Sequence, residues 1–318
     1  NMLSFYLPTK IIFGYDCWKN YQLTDLKKLG NKCLIVTGKN SAKLSGALYD
    51  TIAVLKYNNI DFVIFDNITE NPEFSDIFEA VKILKKNNCE FVVGIGGGSP
   101  IDAAKATAII SANNFQDKEI YNAELIKNKI PIVAIPTTAG AGAEATPFSV
   151  LSDKNTKLKA GAGHPFLFPD LSFVDPKYTF TTSKIVTRDS GLDALSHLLE
   201  GIYSNRRNKI IFPLIAKGIN LIYKNLKKVM KYPDHKIARE NMMIAALYGG
   251  MTIAQTSTTL QHSIGYPLTS RLGITHGAAN AIVMKFIMRL FYPAVKSEFD
   301  DIMKLANLKK NKFIEFIE

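Results

Sequence analysis

Short apolar runs alternate with longer segments of helical spacing along the first half of the chain. The runs are rich in Val, Ile and Phe, and they lie at residues 33–37, 62–65, 91–95 and 132–135. The helical segments between them are residues 42–57, 74–86 and 101–112. Strands that alternate with helices in this way predict a parallel sheet covered by helices on both faces. The opening residues 5–13 are a candidate for a further strand or a hairpin arm.

The second half of the chain is helical almost throughout from residue 190 onward. Two sets of apolar residues follow the helical period, at positions 210, 214, 215, 219, 222 and 226 and at positions 237, 244, 247 and 251. Pro233 and Asp234 predict the start of a helix. The composition changes near residues 179–184, after a short apolar run at 171–174. We therefore predict an α/β domain over residues 1–180 and a helical domain over residues 181–318.

The composition of the chain excludes several classes of protein. Hydrophobic residues make up 47% of the 318 positions and charged residues 21%, which excludes a disordered chain. No run of about 18 apolar residues marks a membrane span, and the first residues lack the apolar core of a signal peptide. The three cysteines, Cys17, Cys33 and Cys89, form no C-x-x-C pair. We therefore expect structural cysteines in a reducing cytoplasm.

The net charge of +11 is dispersed along the chain. The densest basic runs, at residues 224–231 and 304–312, have apolar residues between the lysines and are typical of solvated helix faces. Because no recognised nucleic-acid-binding module accompanies this charge, we expect no nucleic-acid partner. An anionic substrate or a phosphorylated cofactor is compatible with it.

A glycine-rich turn is the first stretch that indicates chemistry. The apolar run at 91–95 ends in three glycines, residues 96–98, and a helix follows. Ser99 suits the N-cap of that helix, Pro100 its first position and Asp102 its third. Glycines let a phosphate approach the backbone, and the free N–H groups and dipole of the helix start bind the anion. Ser99 stands where the G-x-G-x-x-G fingerprint has its third glycine, so an ordinary glycine turn is the alternative.

Two further loops follow predicted strands. Residues 38–41, Gly-Lys-Asn-Ser, lie where many dinucleotide-binding folds carry the acidic residue that holds the ribose 2′-hydroxyl. Gly38 and Lys39 present no carboxylate to repel a 2′-phosphate, which favours NADP over NAD. Residues 136–144 form a small-residue loop with two threonines that suits a ribose or a phosphate. An ordinary strand-to-helix turn remains the alternative for both.

One acidic residue and three histidines form a candidate metal site. Asp193 and His197 are four positions apart, so they share one face of a helix. His262 and His276 offer two more imidazoles in apolar or glycine-rich settings. One carboxylate with three imidazoles suits Fe, Zn, Co, Ni or Mn rather than Ca or Mg.

Each of these residues also has an ordinary structural interpretation. A helical Asp/His pair is usually a surface ion pair, His262 fits a core histidine with satisfied hydrogen bonds, and His276 before Gly277 fits a helix start. His164 and His235 have no partner at ligand spacing, and we interpret them as surface or loop residues.

Taken together, these stretches resemble the iron-dependent alcohol dehydrogenase family, in its NADP-preferring butanol or 1,3-propanediol dehydrogenase-like branch. The segments that carry the resemblance are GGGSPID at 96–102, IPTTAG at 135–140, GLDALSH at 191–197, HSIGYPL at 262–268 and GITHG at 273–277. The resemblance runs from about residue 6 to the C-terminus. It implies a Rossmann-like dinucleotide-binding α/β domain and an all-α metal-binding domain, the architecture of dehydroquinate synthase.

The resemblance also implies the site residues. Asp193, His197, His262 and His276 are expected to ligate one catalytic metal, Fe(II), with Zn as the alternative. The expected cofactor contacts are Gly38, Lys39, Ser41, Asn71, Gly97, Gly98, Ser99, Asp102, Thr137, Thr138, Ser149, Lys159 and Thr179. The family implies a homodimer in which the strand near residues 5–13 crosses to the partner.

The chain departs from the family pattern at several places. Tyr266 stands where many members have a histidine proposed as a proton relay, so any relay here differs. Tyr266 is a candidate for it, and a tyrosine that only packs is the alternative. Ala141 and Ala143 replace hydroxyl residues, and the stretch 154–165 is longer than usual. The chain stops at Glu318, short of the family's usual last helices, so we expect either a truncated protein or one whose tail lies beyond this sequence.

The functional hypothesis is reversible hydride transfer between NADP(H) and a small primary alcohol or diol, or the matching aldehyde. NAD is the alternative cofactor, and the metal acts as a Lewis acid on the substrate oxygen. The alternatives are a zinc-dependent glycerol or polyol dehydrogenase and a non-catalytic nucleotide- or metal-binding protein. A dehydroquinate synthase is disfavoured because only Arg188 and Arg271 are near the candidate segments to bind a phosphorylated acid.

Overall fold

The computed structural model describes residues 3–20, 24–153, 156 and 158–317. Within these, the chain divides into two compact units. The first, called here the α/β unit, comprises the described residues within 8–138 and 143–181. The second, called the helical unit, comprises those within 1–7, 139–142 and 182–318.

The α/β unit is built on a six-stranded sheet in the order β1-β8-β5-β4-β2-β3, in which every neighbouring pair is parallel. Its strands are β1 Lys10–Phe13, β2 Lys32–Gly38, β3 Asp61–Ile68, β4 Phe91–Gly96, β5 Ile132–Pro136 and β8 Leu171–Val174. A separate antiparallel pair consists of β6 Phe148–Asp153 and β7 Leu158–Gly163. The prediction of a parallel sheet is confirmed.

Residues of β2 show why this sheet is covered on both faces. Leu34 and Val36 are buried in one apolar cluster, with Phe65 of β3 and Val92 of β4. Cys33 and Ile35, which alternate with them, are buried in a second cluster on the opposite face. An apolar run buried on both sides is what a parallel sheet between two helical layers requires.

Six helices belong to the α/β unit. They are α1 Cys17–Asn20, α2 Thr24–Lys27, α3 Ser41–Leu44, α4 Ala47–Tyr57, α5 Phe74–Lys86 and α6 Gly98–Asn113. The single helix expected at residues 42–57 is therefore wrong. Gly46 adopts a left-handed backbone conformation with φ of 82° and separates α3 from α4. A right-handed helix does not continue through that conformation.

The N-terminal segment is only partly as expected. Of residues 5–13, Lys10–Phe13 form a strand, and it pairs parallel with β8 at the edge of the sheet. A hairpin arm is therefore wrong, because a hairpin requires antiparallel pairing. The β6–β7 pair has no counterpart among the expected elements. Its second strand contains residues 158–163 of the stretch 154–165, of which residues 154, 155 and 157 lie outside the described residues.

The helical unit contains six helices. They are α7 Lys184–Tyr203, α8 Phe212–Lys231, α9 Lys236–Thr256, α10 Leu260–Leu272, α11 His276–Leu305 and α12 Lys310–Ile317. A core from α7, α8, α9, α11 and α12 buries residues such as Leu198, Ile219 and Phe299. The lysines of α8 are exposed between buried Leu226 and Val229, as the sequence predicts for a solvated helix face.

Helix α11 is long and apolar enough, by length and composition alone, to cross a membrane. It is the one such helix in the part of the chain that the structure describes. It contains Pro293, and Val295 has non-helical dihedral angles that kink it. Ile287 and Met288 lie in the core of the helical unit, whereas Ile282, Phe286 and Leu290 on the same helix are exposed.

Candidate metal centre and cofactor crevice

Helix α7 presents a row of ionisable side chains along one face. Asp193 and His197 are one turn apart, and Glu200 follows at seven positions from Asp193, or two turns. All three are buried, and Glu200 is fully so. They are therefore fixed by the helix rather than by a loop.

Helices α10 and α11 bring two further histidines to this row. His262 lies in the first turn of α10, and His276 is the first residue of α11. Asp193 Oδ1 lies 3.9 Å from His197 Nε2, 3.7 Å from His262 Nε2 and 3.7 Å from His276 Nε2. The Nε2 atoms of His197 and His262 are 3.1 Å apart. The structure thus brings together all four residues that the resemblance implies.

This spacing fits four ligands of one ion. Four ligands about 2.1 Å from a tetrahedral metal lie about 3.4 Å from one another, and the four distances given above run from 3.1 to 3.9 Å. Ligand atoms of Asp193, His262 and His276 all lie within 4.8 Å of one another. The donor set of three imidazole nitrogens and one carboxylate oxygen suits iron or zinc.

The protonation states also suit metal ligation. Burial opposes the charged form of Asp193, but the three neighbouring histidines outweigh it and lower the pKa of this carboxyl to about 2. Burial lowers the pKa of His197. At neutral pH the cluster therefore offers a carboxylate and neutral imidazole, the forms that bind metals.

Two glycines let these helices approach closely. A Cβ atom added at Gly277 would lie 1.9 Å from the carbonyl oxygen of Asp189. One added at Gly265 would lie 2.1 Å from Asn280 Oδ1. Any larger residue at either position would push α10 or α11 away from the cluster.

Tyr266 lies beside the cluster, one turn after His262. Its ring stacks on that of His276 with centroids 5.6 Å apart, and it meets the ring of His262 edge-on at 6.1 Å. His164 and His235 lie elsewhere and act as caps: their Nδ1 atoms accept hydrogen bonds from the backbone N–H groups of Phe166 and Ala238.

A second candidate site lies within the α/β unit. In the sheet order, β2 has β3 on one side and β4 on the other. The chain therefore extends the sheet in one direction from β2 to β3 and in the opposite direction from β4 onward, and the switch point lies between β2 and β4. Thr37 pairs with Ile95 near the carboxyl ends of these strands, and Gly38 follows. In open α/β sheets, ligands bind in the crevice at this switch point. We call this place the cofactor crevice.

The glycine turn opens α6 at the crevice, but it starts earlier than expected. Gly98 is the first helical residue and Gly97 the N-cap, so the placement of Ser99 at the N-cap and of Pro100 at the first position is wrong. The reason is Gly96, whose φ of 149° turns the chain sharply into the helix. A Cβ at Gly96 would lie 2.7 Å from Pro100 Cγ, so the turn requires glycine.

Three expected cofactor contacts meet beside this turn. Lys159 Nζ donates to Asn71 Oδ1 at 2.7 Å, and the backbone N–H of Asn71 donates to Ser99 Oγ at 3.3 Å. Asn71 has a positive φ of 59°, a conformation that asparagine tolerates. Lys39 is exposed at the end of β2, with Ser41 opening α3.

Other expected contacts are engaged in packing. Asp102 Oδ2 accepts a hydrogen bond from the backbone N–H of Val150, and its carbonyl oxygen accepts one from Ser149 Oγ. Burial raises the pKa of Asp102 to about 6. The expectation that Asp102 is the third residue of the helix is wrong, because α6 begins at Gly98 and Asp102 is its fifth residue. Its side chain bonds to β6.

The remaining threonines differ in position. Thr137 is buried and its backbone N–H donates to the carbonyl oxygen of Gly96, while Thr138 Oγ1 lies beside Gly97. Thr179 is buried after β8, two strands away from β4 in the sheet, and its hydroxyl donates to the carbonyl of Pro176. Thr137 and Thr138 thus lie next to the glycine turn, and Thr179 does not.

Comparison with known proteins decides the family. Residues 8–176 match the family model described as iron-containing alcohol dehydrogenase. Residues 187–315 match the model of the C-terminal part of the Fe-containing alcohol dehydrogenase family. The chain belongs to the iron-containing alcohol dehydrogenase family. This confirms the family and the dehydroquinate synthase-like fold expected from the sequence, and an iron-containing alcohol dehydrogenase is an oxidoreductase acting on alcohols.

Relatives of this iron-containing alcohol dehydrogenase match over most of its length. The NADPH-dependent butanol dehydrogenase of Clostridium saccharobutylicum is 29% identical, and the alignment covers 100% of this chain and 81% of the relative. The NADH-dependent butanol dehydrogenase B of Clostridium acetobutylicum is 32% identical over 87% of this chain and 72% of the relative. The crystal structure of an iron-containing alcohol dehydrogenase from Thermotoga maritima has a TM-score of 0.92 at 36% identity, covering 99% of this chain and 87% of that one.

Sequence reasoning missed two polar residues at the candidate metal centre. Glu200 contacts His262 Nδ1, and Asn280 Nδ2 donates to Asp193 Oδ1 at 3.0 Å. A signal existed for both. Glu200 extends the i, i+4 pair of α7 to i+7, and Asn280 lies four residues after His276 on α11.

Proposed function

We propose that the chain is a metal-dependent alcohol dehydrogenase, or aldehyde reductase, that transfers a hydride reversibly between NADP(H) and a small primary alcohol or diol. The observation that carries the proposal is the convergence of one carboxylate oxygen and three imidazole nitrogens at metal-ligand spacing. Membership of the iron-containing alcohol dehydrogenase family supports it. The butanol dehydrogenases among its relatives favour a short-chain alcohol.

We assign the four clustered residues to the metal. Asp193, His197, His262 and His276 hold one divalent ion, Fe(II) or, as the alternative, Zn(II). The ion supplies Lewis acidity, which lowers the pKa of an alcohol oxygen. Asp193 neutralises part of the ion's charge inside a buried site, and the rigid helices α7, α10 and α11 fix the ligand directions.

We assign the crevice of the α/β unit to the cofactor. The backbone N–H groups at Gly97 and Gly98 begin α6 and favour a pyrophosphate there. The cofactor carries the hydride chemistry. Lys39 is exposed at the switch point beside a glycine rather than a carboxylate, which favours a 2′-phosphate and hence NADP over NAD. Ser41, Asn71, Ser99, Asp102, Thr137, Thr138, Ser149, Lys159 and Thr179 complete the proposed contacts.

We assign proton exit to Tyr266, the polar side chain that stacks on His276. A phenol beside a metal-binding cluster exchanges protons with solvent when it is partly exposed, and Tyr266 is half-buried. This role replaces the histidine that many family members have at the same position.

The proposal also extends to organisation and location. We assign the cofactor to the domain of residues 1–180 and the metal to that of residues 181–318, and we expect a homodimer. The thiols of Cys17, Cys33 and Cys89 are free and buried, and burial raises the pKa of each, to about 12 for Cys17. Such inert thiols agree with a reducing cytoplasm.

The test is oxidation of NADPH with butyraldehyde by metal-stripped protein. Parallel samples receive Fe(II) under anaerobic conditions, Zn(II) or no metal, and NADH replaces NADPH in a second series. We expect turnover with Fe(II) and NADPH, and none in a His276→Ala control. Higher activity with Zn(II) would replace the iron assignment by the zinc-dependent alternative. No turnover with any metal, aldehyde or polyol, together with intact NADPH binding, would favour a non-catalytic binding protein.

A further inference from the structure

Glu200 is a fully buried carboxylate that the proposed chemistry does not use. It lies on the face of α7 that carries Asp193 and His197, but its side chain points to the start of α10. A buried carboxylate is costly unless its lone pairs are satisfied by hydrogen bonds. The groups that donate hydrogen bonds to its two oxygens therefore indicate its role.

The two oxygens of Glu200 have different partners. Oε1 accepts hydrogen bonds from the backbone N–H of Thr259 at 2.6 Å, from Thr259 Oγ1 at 2.8 Å and from the backbone N–H of His262 at 3.3 Å. Oε2 contacts Nδ1 of the His262 ring. Three donors hold one oxygen in place, so the other is aimed at the imidazole.

The opposite side of the same ring faces a donor. Asn280 Nδ2 lies 3.0 Å from Asp193 Oδ1, which as a carboxylate oxygen only accepts, so this end of the amide is the NH₂ group. The same Nδ2 lies 3.1 Å from His262 Nε2. His197 Nε2 lies 3.1 Å from the same atom and can either donate to it or accept from it, so the amide and Glu200 decide the assignment. Nε2 accepts from Asn280, and the proton of a neutral His262 is on Nδ1, where it is donated to Oε2 of Glu200.

We propose that Glu200 is the positioning residue that fixes the tautomer of His262, keeping the proton on Nδ1 and the lone pair of Nε2 directed at the metal centre. This inference rests on the proposed metal site for its purpose, but the tautomer is a property of the metal-free protein. A carboxylate behind a ligating histidine orients the ring and raises metal affinity.

The substitution Glu200→Gln tests this with almost no change in shape. An amide has one oxygen and one NH₂ group. If the amide oxygen stays with the Thr259 donors, the NH₂ group faces the N–H at Nδ1 of His262, so two donors oppose each other. If the amide turns over, the NH₂ group opposes the donors of Thr259 instead. The first arrangement is relieved when the proton of His262 moves to Nε2. There it can be donated to His197 Nε2, 3.1 Å away, rather than oppose the amide of Asn280, but it occupies the lone pair that a metal needs. The substitution Glu200→Asp keeps two carboxylate oxygens, which accept from the Thr259 donors and from Nδ1–H of His262. It is the conservative variant that should restore the natural tautomer.

The first readout is the tautomer in protein labelled with ¹⁵N-histidine and stripped with EDTA. Two-bond ¹H–¹⁵N spectra distinguish the protonated from the unprotonated ring nitrogen, and His262→Gln assigns the signals. We expect Nδ1–H in the natural chain and in Glu200→Asp, and Nε2–H in Glu200→Gln. Nε2–H in the metal-free natural chain would overturn the proposal without any variant, so it remains testable even if Glu200→Gln does not fold.

The second readout is the affinity for Zn(II) or Co(II), measured by competition with a chromophoric chelator. Glu200→Gln should weaken it 10–100-fold, the range typical of such outer partners, while Glu200→Asp recovers most of it and NADPH binding is unchanged. Unchanged metal affinity with an unchanged tautomer would refute the role of Glu200. If instead the natural chain and an Asp193→Ala variant bind metal equally poorly, the proposed metal site is refuted. The tautomer measurement still tests whether Glu200 positions the proton of His262.

Discussion

Glu144 is buried inside the α/β unit, and its ionisation is predicted to weaken the fold. It lies in the loop after β5, with an exposed fraction of 2%, and burial raises its pKa to about 7 despite the nearby Lys105. The unfolded chain binds this proton with the ordinary pKa of 4.5. Between these two values the folded state holds more protons, so stability falls as the pH rises.

The magnitude follows from the two pKa values. Integrating the proton linkage from pH 5 to pH 8 gives a loss of about 2.5 kcal/mol in the free energy of unfolding from this one carboxyl. Glu144→Gln removes the titration. The difference in unfolding free energy between Glu144→Gln and the natural chain should therefore grow by about 2.5 kcal/mol in favour of the variant over the same interval.

Urea unfolding monitored by circular dichroism at pH 5, 6, 7 and 8 measures this difference. The same substitution at the exposed Glu79 of α5 gives the baseline for a glutamate that folding leaves in water. A difference that stays constant from pH 5 to pH 8 would refute the reasoning, because the carboxyl would then titrate alike in the folded and unfolded states.

Three further substitutions test other parts of the molecule. Lys105→Met removes a fully buried ammonium that donates to the carbonyl oxygens of Thr146 and Phe148, and should lower the free energy of unfolding by about 3 kcal/mol; Lys82→Met, on the exposed face of α5, is its control in the same urea titration. Lys39→Glu should raise the KM for NADPH by roughly tenfold relative to that for NADH, about 1.4 kcal/mol. Equal changes for the two cofactors, or the same change in the control Lys56→Glu, would show that Lys39 does not bind the 2′-phosphate. Tyr266→Phe should lower kcat by roughly tenfold or more and alter its pH profile. Tyr232→Phe, at an exposed tyrosine, is the control and should keep full turnover and the natural pH profile. The same result in Tyr266→Phe would refute the proposed relay.

The buried strands were predictable because their apolar runs have no other stable place in a folded chain. Residues 33–37 and 91–95 lie within β2 and β4 for this reason. The β6–β7 pair was not predictable in the same way. The sequence of β7, LKAGAG, has small residues of low strand propensity, and its partner strand rather than its composition makes it a strand.

Helix boundaries failed where one glycine conformation decides them. Gly46 splits an otherwise regular helical pattern, and Gly96 starts α6 two residues early. Both outcomes depend on a positive φ that the sequence permits but does not require. The four proposed metal ligands were recognisable from residue type and motif. Glu200 and Asn280 carried only helical spacing as a signal, which places each on the same helix face as a proposed ligand. Their roles depend on partners on other helices, which the sequence does not show.

The placement of the proposed ligands on three separate helices has a consequence for the lifetime of the protein in a cell. Asp193 and His197 belong to α7, His262 to α10 and His276 to α11, so one ion bound by them would cross-link three helices much as a disulfide does, but reversibly. Mass action then adds about 2.7 kcal/mol of stability when free metal exceeds its dissociation constant a hundredfold. A cell short of that metal would lose enzyme to proteolysis as well as to inactivity.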